Sequence, residues 1–104
     1  MATELNKETF KDALQKPLAL IDFWAAWCGP CRTLAPVIEK IAKEYEGRVF
    51  TGKVNIDENR ELSEKYNVMS IPTLILFKGG KAVDTSVGAV PEKEIKKMLD
   101  KHLG

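Results

Sequence analysis

The sequence contains few cysteine and histidine residues, the usual ligands of structural zinc sites. Among its 104 residues there are only two cysteines and one histidine. A structural zinc site takes about four cysteine or histidine ligands, and His102 is far along the chain from Cys28 and Cys31. A zinc or iron–sulfur site would need ligands from a second chain, which we do not expect. We interpret His102 as a solvated helix residue.

Long apolar runs and an excess of charge of one sign are also missing. No run approaches the roughly 20 apolar residues of a membrane-spanning helix. The net charge is +1, with acids and bases interspersed, so the basic face typical of nucleic-acid-binding proteins is not expected. Residues 1–8 lack the apolar segment of a secretory signal. We therefore expect no membrane or nucleic-acid partner and a cytoplasmic location, where structural disulfides are scarce.

The composition and the apolar pattern predict one α/β domain over residues 1–104. Hydrophobic content of 44% and charged content of 30% are those of a globular protein. The pattern predicts strands at about 18–24, 48–55, 73–77 and 82–87, and helices at about 7–14, 28–45, 59–66 and from about 91. Helices and strands alternate until a closing hairpin, which predicts a mixed sheet with helices on both faces.

Both cysteines lie in one pentapeptide, Trp-Cys-Gly-Pro-Cys, at residues 27–31. Two residues between cysteines are compatible with a small disulfide ring, a metal site or a catalytic thiol pair. A metal site is disfavoured by the shortage of further ligands. A disulfide closing so small a loop would stabilise the fold by only roughly 2 kcal/mol, which is a weak reason for one in a reducing compartment. Catalysis is the favoured interpretation.

The predicted strand-to-helix junction gives Cys28 a reason to ionise. At a helix N-terminus, unpaired backbone N–H groups and the helix dipole favour an anion. Lowering a thiol pKa by one unit needs roughly 1.4 kcal/mol, which such a site supplies. Cys31 lies one turn further and nearer the core, so we expect Cys28 to be the exposed attacking thiol and Cys31 the resolving one. Gly29 and Pro30 add no charge between the sulfurs, and without a cation there to stabilise the thiolate the pair should favour donating electrons.

Asp22, Lys53 and Pro72 are the other informative residues. Asp22 is the only charge in the strand predicted at 18–24. It is either an acid satisfied by a neighbouring cation or backbone donor, or a desolvated carboxyl with a raised pKa that accepts a proton from Cys31. Lys53 is a candidate partner for it. Pro72 fits the start of a strand with a trans bond, because only roughly 5–6% of X–Pro bonds are cis.

Residues 22–31 closely resemble the active-site segment of the thioredoxin family. The resemblance continues through residues 35–36, 54–57, 71–74 and 87–89 and extends over essentially the whole chain. It implies the thioredoxin fold, a central mixed sheet of about five strands flanked by four helices. It also implies a cis Ile71–Pro72 bond, against the base rate.

The resemblance further implies a protein-disulfide reductase that works by dithiol exchange and uses no cofactor beyond the reversible Cys28–Cys31 disulfide. The implied partners are disulfide-containing proteins and a thioredoxin reductase, with electrons from NADPH or ferredoxin, and the implied state is a monomer. The candidate catalytic residues are Cys28, Cys31, Asp22 and Lys53. The implied docking surface consists of Trp27, Gly29, Pro30, Ile71, Pro72, Gly88 and Ala89.

Two other functions remain as alternatives at this point. The chain could form or isomerise disulfides, although the uncharged residues between the cysteines and the lack of a signal-like segment argue against this. It could also act as a non-catalytic subunit that holds a partner with the same surface. Ala26, Arg32 and the pair Met69–Ser70 depart from common family patterns, which affects the expected partner preference but not the chemistry.

Overall fold

The structure is a computed structural model that describes residues 1–103. The strands are β1 (Thr3–Glu4), β2 (Leu18–Trp24), β3 (Phe50–Asn55), β4 (Thr73–Lys78) and β5 (Lys81–Val87). The helices are α1 (Lys7–Ala13), α2 (Gly29–Glu44), α3 (Arg60–Lys65) and α4 (Glu92–Leu103). The strands form one sheet in the order β1-β3-β2-β4-β5. β1, β3 and β2 run parallel, while β4 and β5 are antiparallel to their neighbours. The predicted mixed sheet is therefore confirmed.

Helices cover both faces of the sheet, because β2 and β4 are apolar on both sides. One buried cluster joins the sheet to α2 and α4, and the other joins it to α1 and α3. The first includes Leu20, Leu76, Ile38 and Leu99; the second includes Phe23, Phe77, Phe10 and Leu62. β2, central in both clusters, is thus a rigid base for the residues that follow its end.

None of the helices within residues 1–103 has the length and apolar content needed to cross a membrane.

The helix that follows β2 begins where the sequence predicts. Cys28 is the N-cap of α2, and Tyr45 is its C-cap. α1 likewise begins after Asn6, whose side chain accepts hydrogen bonds from the backbone of Glu8 and Thr9. These ends are predictable because N-cap side chains satisfy backbone donors that the helix leaves unpaired.

The edge strand β1 was not predicted from the apolar pattern. It has two residues, both exposed, and so shows no alternation of apolar and polar positions. It forms because Thr3 and Glu4 pair in register with Gly52 and Lys53 of β3. β3 also begins at Phe50, two residues later than the predicted start at residue 48.

Gly52 lets β1 and the residue after it pack against β3. A Cβ at this position would lie 2.6 Å from Leu5 Cδ1 and 3.2 Å from Ile21 Cδ1, and both of those side chains are buried. We expect Gly52→Ala to lower the free energy of unfolding by about 1–3 kcal/mol through overpacking. Urea denaturation monitored by circular dichroism measures this.

A double variant locates the cost of that substitution. Leu5→Ala removes the side chain that the new methyl group would meet, so Gly52→Ala should cost less in the Leu5→Ala background than in the parent chain. Strictly additive effects of the two substitutions would show that the crowding does not arise at Leu5.

Candidate active site

The two cysteines lie at the junction between β2 and α2 and are joined by a disulfide, with their Cα atoms 5.2 Å apart. Cys28 has an extended backbone conformation before the helix, and its sulfur accepts a hydrogen bond from the backbone N–H of Cys31 at 3.2 Å. Pro30 occupies the first turn of α2, where its missing N–H costs nothing. The sulfur of Cys28 is therefore held at the positive end of the helix, as the sequence predicts.

The prediction that Cys28 is exposed is wrong for the disulfide form. Cys28 is 5% exposed and Cys31 is 3% exposed, so both are buried in the disulfide form. Ala25 and Ile71 pack around them, and the Cys28 sulfur lies 3.8 Å from the carbonyl oxygen of Ile71. What distinguishes Cys28 is its place at the helix end beside the segment that contains Ile71, whereas Cys31 is inside the first turn.

The two residues between the sulfurs are uncharged, but a cation follows directly after the second cysteine. Arg32 directs its guanidinium back along the loop, where it donates a hydrogen bond to the Ala26 carbonyl at 2.9 Å. One of its nitrogens would lie 4.0 Å from a Cβ on Gly29. A positive charge thus flanks the motif, and the uncharged Gly29-Pro30 pair does not by itself determine the electrostatics at the sulfurs.

The Ile71–Pro72 peptide bond is cis, as the family resemblance implies and as the base rate for proline does not. It lies directly before β4. The Pro72 carbonyl accepts a hydrogen bond from the Gly88 N–H at 2.8 Å, and Gly88 has a φ of +93°, which favours glycine. These contacts join the segment before β4 to the segment after β5, beside the cysteines.

The predicted docking residues differ in exposure. Trp27 is 66% exposed, and Gly29, Pro30 and Ala89 are exposed as well. Ile71 and Gly88 are half-buried, and Pro72 is buried. If these residues do bind a partner, the side chain of Pro72 is therefore not accessible to it, and Pro72 would act through the course it gives the backbone.

Asp57, a residue with no role predicted from the sequence, contacts one of these predicted docking residues. Its carboxylate accepts a hydrogen bond from the indole N–H of Trp27 at 2.9 Å. The contact fixes the orientation of an exposed aromatic ring next to Cys28. The residues are 30 positions apart in sequence, so only the folding of the loop after β3 reveals the pair.

Asp22 is buried in the centre of the sheet, with 1% of its surface exposed. Burial raises the pKa of its carboxyl from 3.8 to about 7, the Lys53 ammonium opposes this rise, and the Glu4 carboxylate adds to it. Within residues 1–103 its Oδ1 has no hydrogen-bond partner. The interpretation of Asp22 as an acid whose oxygens accept hydrogen bonds from neighbouring donors therefore does not hold for Oδ1.

Lys53 does not pair directly with Asp22. The two residues are register partners in β3 and β2, but no ion pair joins Lys53 to a carboxylate in the described part of the chain. Its ammonium lies over the ring of Trp24, 4.5 Å from the centroid. The predicted partnership is therefore an electrostatic influence across the sheet and not a salt bridge.

The Thioredoxin family model matches residues 1–101. The chain belongs to the thioredoxin family. Relatives named thioredoxin include thioredoxin 1 of Nostoc sp., which is 49% identical over 104 residues covering 98% of this chain and 97% of the relative. The thioredoxin of Chlorobaculum thiosulfatiphilum is 52% identical, covering 99% of this chain and 94% of the relative. The crystal structure of the Malassezia sympodialis thioredoxin superimposes with a TM-score of 0.91 at 31% identity, covering 100% of this chain and 92% of that one.

Membership of the thioredoxin family gives the cysteine pair its chemistry. The chain is a protein-disulfide reductase of the thioredoxin type with a redox-active Cys28–Cys31 pair, and electron transport and redox homeostasis fit the family. The predicted thioredoxin fold is confirmed by the sheet order and by the structural neighbour. Among residues 1–103 there is no group of three or more histidine, cysteine or acidic side chains that could hold a metal ion.

Proposed function

We propose that this chain reduces protein disulfides with Cys28 as the attacking thiol and Cys31 as the resolving thiol. The observation that carries the proposal is the position of the Cys28 sulfur. It lies at the N-terminus of α2, accepts the Cys31 N–H and sits beside the cis Ile71–Pro72 segment. A thiolate at that position is stabilised by the helix end and is a good nucleophile.

The exchange takes place in two steps that transfer two electrons to the substrate. The Cys28 thiolate attacks one sulfur of the substrate disulfide, forming a mixed disulfide and releasing the first substrate thiolate. The Cys31 thiol then loses its proton and attacks the Cys28 sulfur. This forms the Cys28–Cys31 disulfide and releases the second substrate thiolate, which takes up a proton from solvent.

Asp22 is the proposed acceptor of the Cys31 proton. It lies on the same strand face as Leu20, which belongs to the same buried cluster as Leu34 of α2, one turn after Cys31. The carboxyl with a pKa near 7 suits proton transfer at neutral pH, because a base works best when its pKa is close to the ambient pH. Lys53 is a positioning residue in this proposal, since it acts on Asp22 through its charge.

The proposed docking surface consists of Trp27, Gly29, Pro30, Ile71, Pro72, Gly88 and Ala89. An extended substrate segment would lie along the Ile71 backbone and pair with it as an added strand, which brings its disulfide to the Cys28 sulfur. Trp27, held by Asp57, would supply the largest apolar contact. We further propose that residues 1–104 act as a single domain and a monomer in the cytoplasm, with no cofactor of their own, and that a thioredoxin reductase restores the dithiol.

The test is catalytic reduction of a disulfide-bonded protein by the purified chain, with NADPH and a bacterial thioredoxin reductase. We expect NADPH consumption that depends on the chain, the reductase and the substrate. Ferredoxin with its own reductase replaces NADPH in a parallel reaction and distinguishes the two electron sources.

Dithiothreitol as the electron donor separates the proposal on the exchange from the proposal on the reductase. If dithiothreitol but neither reductase supports turnover, the exchange chemistry stands and the proposed recharging partner is wrong. If the chain does not accelerate reduction of the substrate with any donor, the proposed reductant role is wrong.

A further inference from the structure

Three charged side chains lie in a row across three neighbouring strands. Lys53 of β3 is the register partner of Glu4 in β1 and of Asp22 in β2, and both pairings are parallel. Register partners in a parallel sheet share one face, and neighbouring strands are about 4.8 Å apart. Glu4 and Asp22 therefore flank Lys53 on opposite sides, with backbones about 10 Å apart.

The Lys53 ammonium acts on both acids, and among residues 1–103 it forms an ion pair with neither. The ring of Trp24 holds it by a cation–π contact at 4.5 Å, and among residues 1–103 it makes no ion pair. Its charge lowers the pKa of Asp22 and that of Glu4, in each case against the larger effect of burial. Glu4 is exposed at the edge of the sheet, whereas Asp22 is buried. The Lys53 cation therefore lies between a solvent-accessible carboxylate and a buried one.

We propose that Glu4 is a positioning residue of the thiol exchange, a role that rests on the function proposed above for Asp22. The Glu4 carboxylate shares the Lys53 ammonium with Asp22 and thereby limits how far that cation stabilises the charged form of Asp22. Without Glu4 the cation would act on Asp22 alone, and the buried carboxyl would become a weaker proton acceptor.

The other groups around this row do not take the place of Glu4. The β4 partner of Asp22 is the apolar Leu74, and α2 places the cysteines on this side of the sheet. Two further acids, Glu39 and Glu58, raise the pKa of Glu4, but Glu4 is the only acid that raises the pKa of Asp22 within residues 1–103. The other groups shown to act on the row are Leu74 of β4, the register partner of Asp22, the ring of Trp24, which contacts Lys53, and the acids Glu39 and Glu58, which act on Glu4.

The test is a titration of the Asp22 carboxyl carbon by NMR in the oxidised chain, in which the cysteines do not titrate. We expect Glu4→Gln to lower the Asp22 midpoint by more than about half a pH unit. Direct repulsion from one charge about 10 Å away accounts for about half a unit in a partly screened site, and the Lys53 charge that no longer acts on Glu4 adds to it. Glu4→Asp keeps the charge and should retain most of the original midpoint. Glu58→Gln, which removes an acid that influences Glu4 but not Asp22, is the matched control and should leave the midpoint in place.

A second background tests whether the effect passes through the shared cation. In Lys53→Gln the shift caused by Glu4→Gln should become smaller, because only direct repulsion between the two carboxylates remains. Equal shifts in both backgrounds would overturn the sharing role of Lys53. An unchanged or raised Asp22 midpoint in Glu4→Gln would overturn the whole inference.

The rate of mixed-disulfide resolution separates this inference from the proposed function. We expect the rise of that rate with pH to move to lower pH in Glu4→Gln by the same amount as the Asp22 midpoint. A shifted titration with an unchanged rate profile would support the electrostatic role of Glu4 and overturn the role proposed for Asp22 in the exchange.

Discussion

Cys31→Ser is expected to convert the chain into a covalent trap for its substrates. Cys28 still attacks the substrate disulfide, but the mixed disulfide has no internal thiol to resolve it. A thiol held in place acts with an effective concentration that reaches about 10⁵ M or more, which free thiols at millimolar concentration do not approach. Turnover should therefore fall by at least about a thousandfold, and intact mass spectrometry should detect a chain–substrate adduct that dithiothreitol releases.

Cys28→Ser is the matched control for the trap. It retains the buried Cys31 but lacks the sulfur at the helix end, so we expect neither turnover nor an adduct. Full turnover of protein substrates by Cys31→Ser would contradict the two-thiol mechanism. An adduct that forms equally well with Cys28→Ser would show that Cys31 is the attacking thiol.

The elements that position the cysteines could be predicted because their signals are local. The apolar segment at residues 18–24 is a strand, and the helix after it begins at Cys28, since periodicity and capping are properties of adjacent residues. The two glycines after β4 both have positive φ and form the hairpin turn to β5. Two adjacent glycines between two apolar segments predict such a turn.

The features that could not be predicted from the residues alone depend on partners distant in the chain. β1 has its place only through Gly52 and Lys53. Cys28 is buried because Ile71, 43 residues later, packs beside it. A cis bond at Pro72 opposes the local preference, so only the family resemblance implied it.

Lys53 shows the same limit for a single side chain. Its strand position beside Asp22 suggests an ion pair, but a long flexible side chain has many rotamers, and the ring of Trp24 selects one that leaves no ion pair in the described chain. The sequence therefore indicates which charges meet on one face of the sheet, and the structure determines how strongly each acts on the others.

Asp22→Asn is expected to stabilise the oxidised chain at pH 8 and to have little effect near pH 4. The folded-state pKa of Asp22 is raised to about 7, above its unfolded value of about 3.9. Between these two values the unfolded chain releases a proton that the folded chain retains, so the stability of the parent chain falls as pH rises and levels off above pH 7. A pKa difference of this size corresponds to about 4 kcal/mol, and asparagine does not titrate.

Urea denaturation of the oxidised parent and variant from pH 4 to pH 8 measures this difference. The gap in the free energy of unfolding should open between about pH 4 and pH 7 and stay constant above. Asp12→Asn, at an exposed position in α1, is the control and should show no such gap. A parent chain as stable as Asp22→Asn at pH 8 would contradict a raised pKa at Asp22.

The same variant tests the role of Asp22 in catalysis, because stability and proton transfer depend on one property of the carboxyl. A buried acid that destabilises the fold when charged is also a base able to take the Cys31 proton near pH 7. We expect Asp22→Asn to slow resolution of the mixed disulfide by about 10²-fold or more, the range typical of a lost general base, while the first attack by Cys28 changes less. Stopped-flow measurement of both steps from pH 6 to pH 9 separates them, and equal resolution rates in parent and variant across that range would exclude Asp22 from the mechanism even if the stability difference is found.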